Sequence, residues 1–401
     1  MGYPCIFEWG SSVHTMASAQ VGHFQSSYSR PLVLAAQIAF LPTGILTTLL
    51  GPMLPLLIAH WSLNDTQAGN LFLVQFLSAL AGVQLSGVLL ARFGYRPAFL
   101  SALLLMACGS ATLYVGPARL GMASVAVYGL GLGLIIPTDS LLIAEVSSHS
   151  PTGAVNLLNF FWGFGAVLCS LVVAWAGAHK LIPFFLGSVS LFLVLLALAM
   201  RGLPFPPAAT SSQGAPRWSE ILNSPPFWFF AAIFFLYTGA ETAVGGWVGS
   251  YVSRLGPQAA KMAPMMPAFF YAALTAGRAL GLIFLSRIPE RRVLRAGFAT
   301  GSLGIVLMLW ASVLPEVIAG AVITGLSFAT LYPITIARLS QRFGVAARSI
   351  GAVMFSLASV GPAVIPWSVG MVSQTTGSLR AGLFLPLGAT VVLLVIHLRD
   401  W

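Results

Sequence analysis

The sequence predicts an all-α polytopic membrane protein whose twelve transmembrane helices form two six-helix bundles related by pseudo-two-fold symmetry. Three observations predict this fold class: a very low share of charged residues, twelve uncharged apolar runs, and an internal repeat that divides the chain near its middle. Of the 401 residues, 58% are hydrophobic and only 7% are charged. A soluble domain has about 25% charged residues, so this composition is suited to lipid rather than to water.

The apolar runs are each long enough for an α-helix to cross the bilayer core, which takes about 20 residues. They are delimited by glycine, proline and arginine, and we number them spans 1 to 12. Spans 1 to 6 cover residues 32–59, 66–90, 97–116, 121–146, 151–177 and 180–200. Spans 7 to 12 cover residues 227–252, 264–286, 293–313, 316–340, 348–371 and 379–399.

A stretch rich in proline and serine separates the two sets of spans. We therefore expect a cytoplasmic tail at residues 1–31, an N-terminal six-helix bundle at 32–200, a cytoplasmic linker at 201–226 and a C-terminal six-helix bundle at 227–401. The first residues lack the apolar stretch of a cleavable signal peptide, which supports the assignment of a tail.

The internal repeat relates span 1 to span 7. Residues 40–44 and 235–239 share phenylalanine, leucine, threonine and glycine at corresponding positions, at an offset of 195 residues. An offset of 196 residues relates Pro137 to Pro333 and also Gly165 to Gly361. Parallel repeats of six helices with a substrate site between them are a standard transporter plan, so the repeat favours transport.

The basic residues predict the orientation, because cytoplasmic loops retain positive charge during insertion. The chain has 19 basic and 9 acidic residues, but the basic ones are dispersed in short loops and give no nucleic-acid-binding patch. With both termini in the cytoplasm, thirteen lie inside and five outside, as expected for an integral plasma (inner) membrane protein. The inside set is Arg30, Arg92, Arg96, Arg201, Arg217, Arg287, Arg291, Arg292, Arg295, Arg338, Arg342, Arg348 and Arg399, and the outside set is Arg119, Lys180, Arg254, Lys261 and Arg380.

The loop between spans 2 and 3 resembles the signature G-x-L-x-D-R-x-G-R-K of the major facilitator superfamily. Four of its residues match the signature: Gly87, Arg92, Gly94 and Arg96. The resemblance implies a gating loop at these positions. Ala91 replaces the acid of the signature, so the usual ionic latch of the loop is not expected here. We expect Glu145, at the same end of span 4, to pair with Arg92 or Arg96.

Within that superfamily, the sequence is similar to the fucose/glucose/galactose permease group of sugar–cation symporters. Residues 236–241 with Gly246, Trp247 and Tyr251, residues 156–159 with 164–166, and residues 332–335 with Gly361 and Pro366 carry this resemblance. It implies symport of a monosaccharide with H⁺ or Na⁺, through a cavity lined by spans 1 and 10. Thr43, Thr47, Tyr332 and Thr335 are the substrate-binding positions that it suggests. Span 1 has no acid, in contrast to fucose permease, so proton coupling through span 1 is not expected.

Two acidic residues lie deep within predicted spans. An ionised side chain at the centre of a transmembrane helix costs about 2.5–3.5 kcal/mol on insertion scales. Glu241 is within two residues of the middle of span 7, and Asp139 lies further from the middle of span 4. We expect both to take part in ion coupling. The alternatives are a protonated Glu241 bound to a neighbouring helix, and an Asp139 that satisfies carbonyls freed by Pro137.

Polar side chains around Glu241 predict a substrate site. Tyr237 and Thr238 share its helix face, so this polar stripe is expected to face a cavity rather than lipid. The glycine pair 245–246 is expected to weaken the helix where the backbone bends to open that cavity. Trp247 and Tyr251 follow and are further substrate-binding candidates.

Spans 5 and 8 supply additional candidates. Asn156, Asn159 and Trp162 recur at intervals of three residues in span 5 and therefore share a face. Amides both donate and accept hydrogen bonds, which suits a ligand rich in hydroxyls, although bonds between helices are the alternative use. Arg278 lies within span 8, where a structural ion pair and a contact with substrate are both open.

These observations favour a secondary active transporter that works by alternating access and carries a monosaccharide or similar small polar solute in symport with a cation, H⁺ or Na⁺. The competing hypothesis is a proton-coupled exporter of drugs or metabolites. Such an exporter is expected to have a proline-rich bend in span 5, but that span has no proline between Thr152 and Gly177. No catalytic set or metal-binding motif indicates an enzyme, so we expect no cofactor and no metal, and a monomer.

Overall fold

The computed structural model describes residues 30–147, 151–206, 221–285, 288–343 and 347–398. Every regular element within these residues is a helix. Most of the predicted tail and the centre of the predicted linker lie outside the described residues, as do Arg217, Arg287 and Arg399.

The helices follow the predicted spans closely. Ten helical segments among the described residues are long and apolar enough to cross a membrane, and Leu50–Trp61 is a shorter apolar helix. Spans 1 to 6 are Arg30–Thr48 with Leu50–Trp61, Asp65–Phe93, Tyr95–Thr112, Ala118–Val146, Pro151–Ala178 and Ile182–Arg201. Spans 7 to 12 are Pro225–Val252, Met266–Leu285, Glu290–Trp310, Leu314–Phe328 with Leu331–Phe343, Ala347–Thr376, and Leu379–Gly382 with Phe384–Leu398.

Spans 1, 10 and 12 are each interrupted, and in each the first helix ends four or five residues before a proline. Proline has no backbone N–H, so the carbonyl four residues before it loses its helical partner. The first helix of span 1 ends four residues before Pro52, and the short helix of span 12 ends four residues before Pro386. In span 10 the first helix ends five residues before Pro333. These breaks were not predicted from the sequence.

The two halves pack in the same way. Span 1 packs on span 5, span 2 on span 4, and span 3 on spans 4 and 6. Span 7 likewise packs on span 11, span 8 on span 10, and span 9 on spans 10 and 12. The glycines of the repeat have equivalent partners, because Gly165 abuts the backbone of Leu41 in span 1 and Gly361 that of Phe235 in span 7. The chain therefore has the predicted twelve-span fold with two equivalent bundles.

Contacts between the halves follow the same symmetry. Span 2 packs on span 11 and span 5 on span 8, and the pseudo-two-fold axis exchanges these two pairs. The second helix of span 1 packs against span 7, and span 7 is the equivalent of span 1 in the other half. We call the end formed by the loops after odd-numbered spans the outer end and the opposite end the inner end, following the predicted orientation.

The outer end is closed by a polar cluster that joins the halves. The Asp65 carboxylate at the start of span 2 accepts a hydrogen bond from Nη1 of Arg254, after span 7, at 3.0 Å. It also accepts one from the hydroxyl of Ser373 in span 11. The Asp65 N–H donates to Oε1 of Gln374 at 3.2 Å. We call these four residues the outer latch.

Candidate functional site

A central cavity of about 240 Å³ lies between the two halves. It extends from the middle of the bundle towards the inner end, from Gln75 to Val83 along span 2 and from Tyr271 to Arg278 along span 8. Both halves contribute to its wall, as expected for a carrier whose halves move about a central site. The lining residues are Phe40, Thr47, Thr48, Gln75, Phe76, Ala79, Val83, Leu132, Gly133, Ile136, Pro137, Asn159, Trp162, Thr238, Glu241, Thr242, Tyr271, Arg278, Tyr332, Ala358 and Ser359.

Glu241 faces this cavity from the middle of span 7, next to Thr238 and Thr242. The hydroxyl of Tyr237 interacts with its carboxylate from the same helix, and Arg278 attracts it electrostatically from span 8. Tyr271 and Tyr332 also lie close enough to the carboxylate to interact with it electrostatically. The acid is therefore placed where a solute and an ion could both reach it.

Arg278 lines the same cavity but does not close onto Glu241. Its Cζ atom lies 5.4 Å from the centroid of the Trp162 ring, a cation–π contact that joins span 8 to span 5. Within the described part of the chain, its guanidinium forms no hydrogen bond or ion pair, and its Nε is buried without a partner. The guanidinium thus keeps its hydrogen-bonding capacity for the cavity.

Seven of the predicted site residues line the cavity, and the polar ones among them are only partly engaged by the protein. Thr47 donates to the carbonyl of Thr43 at 2.6 Å, and Nδ2 of Asn159 donates to the carbonyl of Val155 at 2.9 Å. Both side chains retain acceptor capacity towards the cavity. The seven are Thr47, Asn159, Trp162, Thr238, Glu241, Arg278 and Tyr332.

Other predicted substrate-binding residues are engaged elsewhere. Thr43 and Thr335 are buried and donate to carbonyls of their own helices. The Tyr237 hydroxyl donates to the carbonyl of Phe328 at 3.0 Å, and that of Tyr251 to Leu309 at 3.3 Å. None of these four side chains lines the cavity, because hydrogen bonds hold them within their own half of the protein.

Trp247 and Asn156 also lie apart from the cavity lining. The indole N–H of Trp247 donates to the carbonyl of Pro366 at 2.9 Å, so this buried ring joins spans 7 and 11 on the outer side of the cavity. Asn156 is exposed near the inner end of span 5. Its spacing from Asn159 predicted a shared face, but the cavity begins further along the helix.

The helix is not interrupted at residues 245–246, since Pro225–Val252 is one continuous helix. The two glycines instead allow close approach of other elements. A side chain at Gly245 would meet the Tyr271 hydroxyl, and one at Gly246 would meet the ring of Phe72 from the opposite half. The absence of Cβ atoms at these two positions therefore permits close contact between elements.

Asp139 is fully buried in span 4 and does not line the cavity. Neither of its carboxylate oxygens has a hydrogen-bond partner among the described residues, and the neighbouring Thr138 hydroxyl is also unpartnered. An isolated ionised carboxylate in such surroundings would be very costly, so the neutral, protonated form is favoured.

Comparison with known proteins identifies the family. The model of the Major Facilitator Superfamily matches residues 38–366. The chain belongs to the major facilitator superfamily.

An uncharacterised MFS-type transporter of Yersinia pestis is 22% identical over 348 residues, covering 85% of this chain and 88% of that protein. The human sodium-dependent glucose transporter 1 is 22% identical over 408 residues, covering 88% and 76%. The niacin transporter NiaP of Acinetobacter baylyi is 26% identical over 169 residues, covering 42% and 38%.

Solved structures of the superfamily share the fold. A D-xylose-proton symporter superposes with a TM-score of 0.75 at 16% identity, covering 92% of this chain and 97% of that one. The E. coli fucose:proton symporter FucP gives a TM-score of 0.65 at 17% identity, covering 93% and 99%. At this level of identity the likeness concerns the fold, which is that of a superfamily transporter and an integral membrane protein.

The superfamily loop between spans 2 and 3 lies at the inner end. Gly94, with φ of +78°, separates the helices of the two spans in a backbone conformation that favours glycine. The Tyr95 hydroxyl donates to the Glu145 carboxylate at 2.7 Å, and Arg96 donates to the carbonyl of Leu203 at 2.7 Å. The predicted pairing of Glu145 with Arg92 or Arg96 is therefore replaced, in the described structure, by a bond to the tyrosine that substitutes for a basic residue of the signature.

Sequence reasoning missed several residues that line the central cavity. Gln75 donates to the carbonyl of Thr47 at 3.0 Å and accepts from the Tyr128 hydroxyl at 2.9 Å. Its amide in the middle of an apolar span was a usable signal. Tyr271 was another, because it lies seven residues from Arg278 and so shares its helix face. The apolar lining residues carry no comparable signal.

Proposed function

We propose that this protein is a cation-coupled secondary transporter that carries a monosaccharide or similar small polar solute by alternating access. The observation that carries the proposal is the position of Glu241, whose carboxylate faces the cavity between two equivalent halves. An acid in a membrane interior marks an ion or substrate pathway, and the cavity gives it access to both. H⁺ and Na⁺ are the two candidate coupling ions, and the plasma (inner) membrane is the proposed location.

The relatives support solute transport coupled to a cation. One is named as sodium-dependent and two of the structural neighbours as proton symporters of sugars. In this chain the polar lining is provided by threonines, Gln75 and Asn159, which can donate to and accept from hydroxyl groups. Coupling requires that solute and ion raise each other's affinity, a linkage typically worth about 1–3 kcal/mol.

A transport assay with Glu241→Gln tests the ion-coupling role. Glutamine keeps the shape of the side chain but cannot ionise. We therefore expect solute exchange to persist while uphill accumulation is lost. The measurement is counterflow and uptake of a hexose panel in proteoliposomes, under a pH gradient and separately under a sodium gradient. Glu290→Gln is the matched control, because it makes the same change at the start of span 9 outside the cavity lining.

Accumulation by Glu241→Gln equal to that of the wild type would remove the coupling role from this residue. Equal uptake with and without either gradient in the wild type would instead exclude symport. If solute and protons instead cross the membrane in opposite directions, the alternative of a proton-coupled exporter would be favoured.

A further inference from the structure

The cavity is lined by one cationic side chain, Arg278, whose N–H donors have no acceptor among the described residues. Arg278 contacts the face of Trp162, but no described residue accepts a hydrogen bond from its guanidinium. Arginine presents a planar fork of N–H donors that matches a carboxylate in two parallel bonds. Because the fork borders a cavity between the halves, a carboxylate supplied by the solute can reach it.

We propose that the transported solute carries a carboxylate that binds Arg278, and that its binding drives uptake of one proton at Glu241. This inference rests on the proposed function and names the class of solute and the means of coupling. It distinguishes small carboxylic acids, as a class, from neutral sugars of the same size.

The walls of the cavity suit a compact ring that bears such a group. The rings of Trp162 and Tyr271 meet edge to face, with centroids 6.2 Å apart, across the boundary between the halves. Phe40 and Phe76 add apolar surface from spans 1 and 2. The cavity of about 240 Å³ therefore offers aromatic surface beside the Arg278 guanidinium.

The charges of the cavity explain why a proton would accompany the solute. In the empty site, Arg278 compensates the charge of Glu241. Once a carboxylate occupies Arg278, two negative groups share one positive group in surroundings of low dielectric constant. Protonation of Glu241 removes the excess charge, and release of the carboxylate restores the original balance.

Apart from Arg278, the groups of the described residues that face Glu241 do not supply a competing charge. They are the phenol groups of Tyr237 in span 7, Tyr271 in span 8 and Tyr332 in span 10. The described lining residues from spans 1, 2, 4, 5 and 11 carry no titratable side chain. Glu241 is therefore the group in this cavity that can accept the proton.

The test measures binding of matched acids and neutral analogues to the purified full-length protein. The pairs are glucuronate with glucose and nicotinate with nicotinamide, each measured by isothermal titration calorimetry in two buffers of different ionisation enthalpy. We expect at least one acid to bind about tenfold or more tightly than its neutral partner, since a hydrogen bond to a charged group is worth about 1.5–3 kcal/mol. We also expect uptake of close to one proton per acid bound, and weaker binding as the pH rises.

Variants locate the effect. Arg278→Gln is expected to abolish the preference for the acid over its neutral analogue, and Arg278→Lys to retain part of it. Glu241→Gln is expected to bind the acid without proton uptake. Arg119→Gln removes an exposed positive charge outside the cavity lining and is expected to behave as the wild type.

The comparison within each pair needs no variant, so a misfolded mutant does not decide the outcome. Failure of the wild type to bind either acid more tightly than its neutral partner would overturn the inference, as would acid binding without proton uptake. A wild type that exchanges glucose across liposomes and ignores both acids would retain the proposed function and lose this inference.

Discussion

At the scale of single residues, the two buried acids have different surroundings and so we expect different roles. Glu241 faces the cavity with Tyr237 and Arg278 nearby, and its protonation can therefore respond to a solute. Asp139 is sealed within span 4 and has no partner among the described residues. The ion-coupling role suggested for Asp139 stays a prediction, and the geometry favours Glu241 for that role.

Replacement of Asp139 tests this difference. Asparagine has the shape of a protonated aspartic acid, so Asp139→Asn is expected to keep thermal stability within a few degrees and to keep uphill accumulation. Uptake in proteoliposomes and thermal unfolding of the purified protein measure the two quantities. Loss of accumulation with counterflow intact would transfer the coupling role from Glu241 to Asp139.

At the scale of elements, helix pairs approach so closely that their shared positions accept no side chain. Gly361 in span 11 lies against the carbonyl of Phe235 in span 7, and Gly165 in span 5 has the equivalent contact with span 1. The hydrophobic effect does not drive association of helices within lipid, because lipid tails are as apolar as the side chains. Close packing at small residues therefore contributes much of the attraction between helices. The same positions appear in the sequence as members of the internal repeat.

Gly361→Ala is expected to destabilise the protein. The added methyl group would overlap the Phe235 carbonyl and push span 11 from span 7, and overpacking of this kind costs about 1–3 kcal/mol. Thermal unfolding in detergent measures the loss. Gly187→Ala is the matched control, because a methyl group there meets nothing within 4 Å, and an equal effect in both variants would contradict the packing argument.

At the scale of the whole molecule, the outer latch closes one end of the bundle while the cavity lies towards the other. Asp65 and Arg254 come from opposite halves, and their side chains are 14% and 39% exposed. Because the arginine is partly solvated, water and salt weaken this pair, and we expect it to contribute about 1 kcal/mol to the closed state. Trp367, whose indole N–H donates to Oδ1 of Asn70 at 3.0 Å, adds a further bond between spans 11 and 2.

Breaking the latch is expected to favour a state that is open at the outer end. For Arg254→Gln, a loss of about 1 kcal/mol corresponds to about a fivefold rise in the ratio of outer-open to outer-closed protein. Spin labels on cysteines at positions 62 and 376, with Cys5, Cys108 and Cys169 replaced by serine, would report a longer distance in that state.

A charge exchange provides the control for the latch. The double variant Asp65→Arg with Arg254→Asp is expected to recover part of the closed population that each single variant loses. Distance distributions identical in the wild type and in Arg254→Gln would show that the latch does not set this equilibrium.

The sequence by itself determined the twelve spans, the division into two equivalent halves and the position of Glu241 deep within span 7. These features depend on hydropathy, repeat spacing and the cost of a charge in lipid, all of which act locally or along one helix. Only the tertiary structure decided which polar residues share the cavity. Tyr237, Trp247 and Tyr251 lie on the same helix as Glu241, yet none of the three lines the cavity, and they donate hydrogen bonds to Phe328, Pro366 and Leu309. Those partners are distant in sequence, so no pattern within span 7 could reveal them.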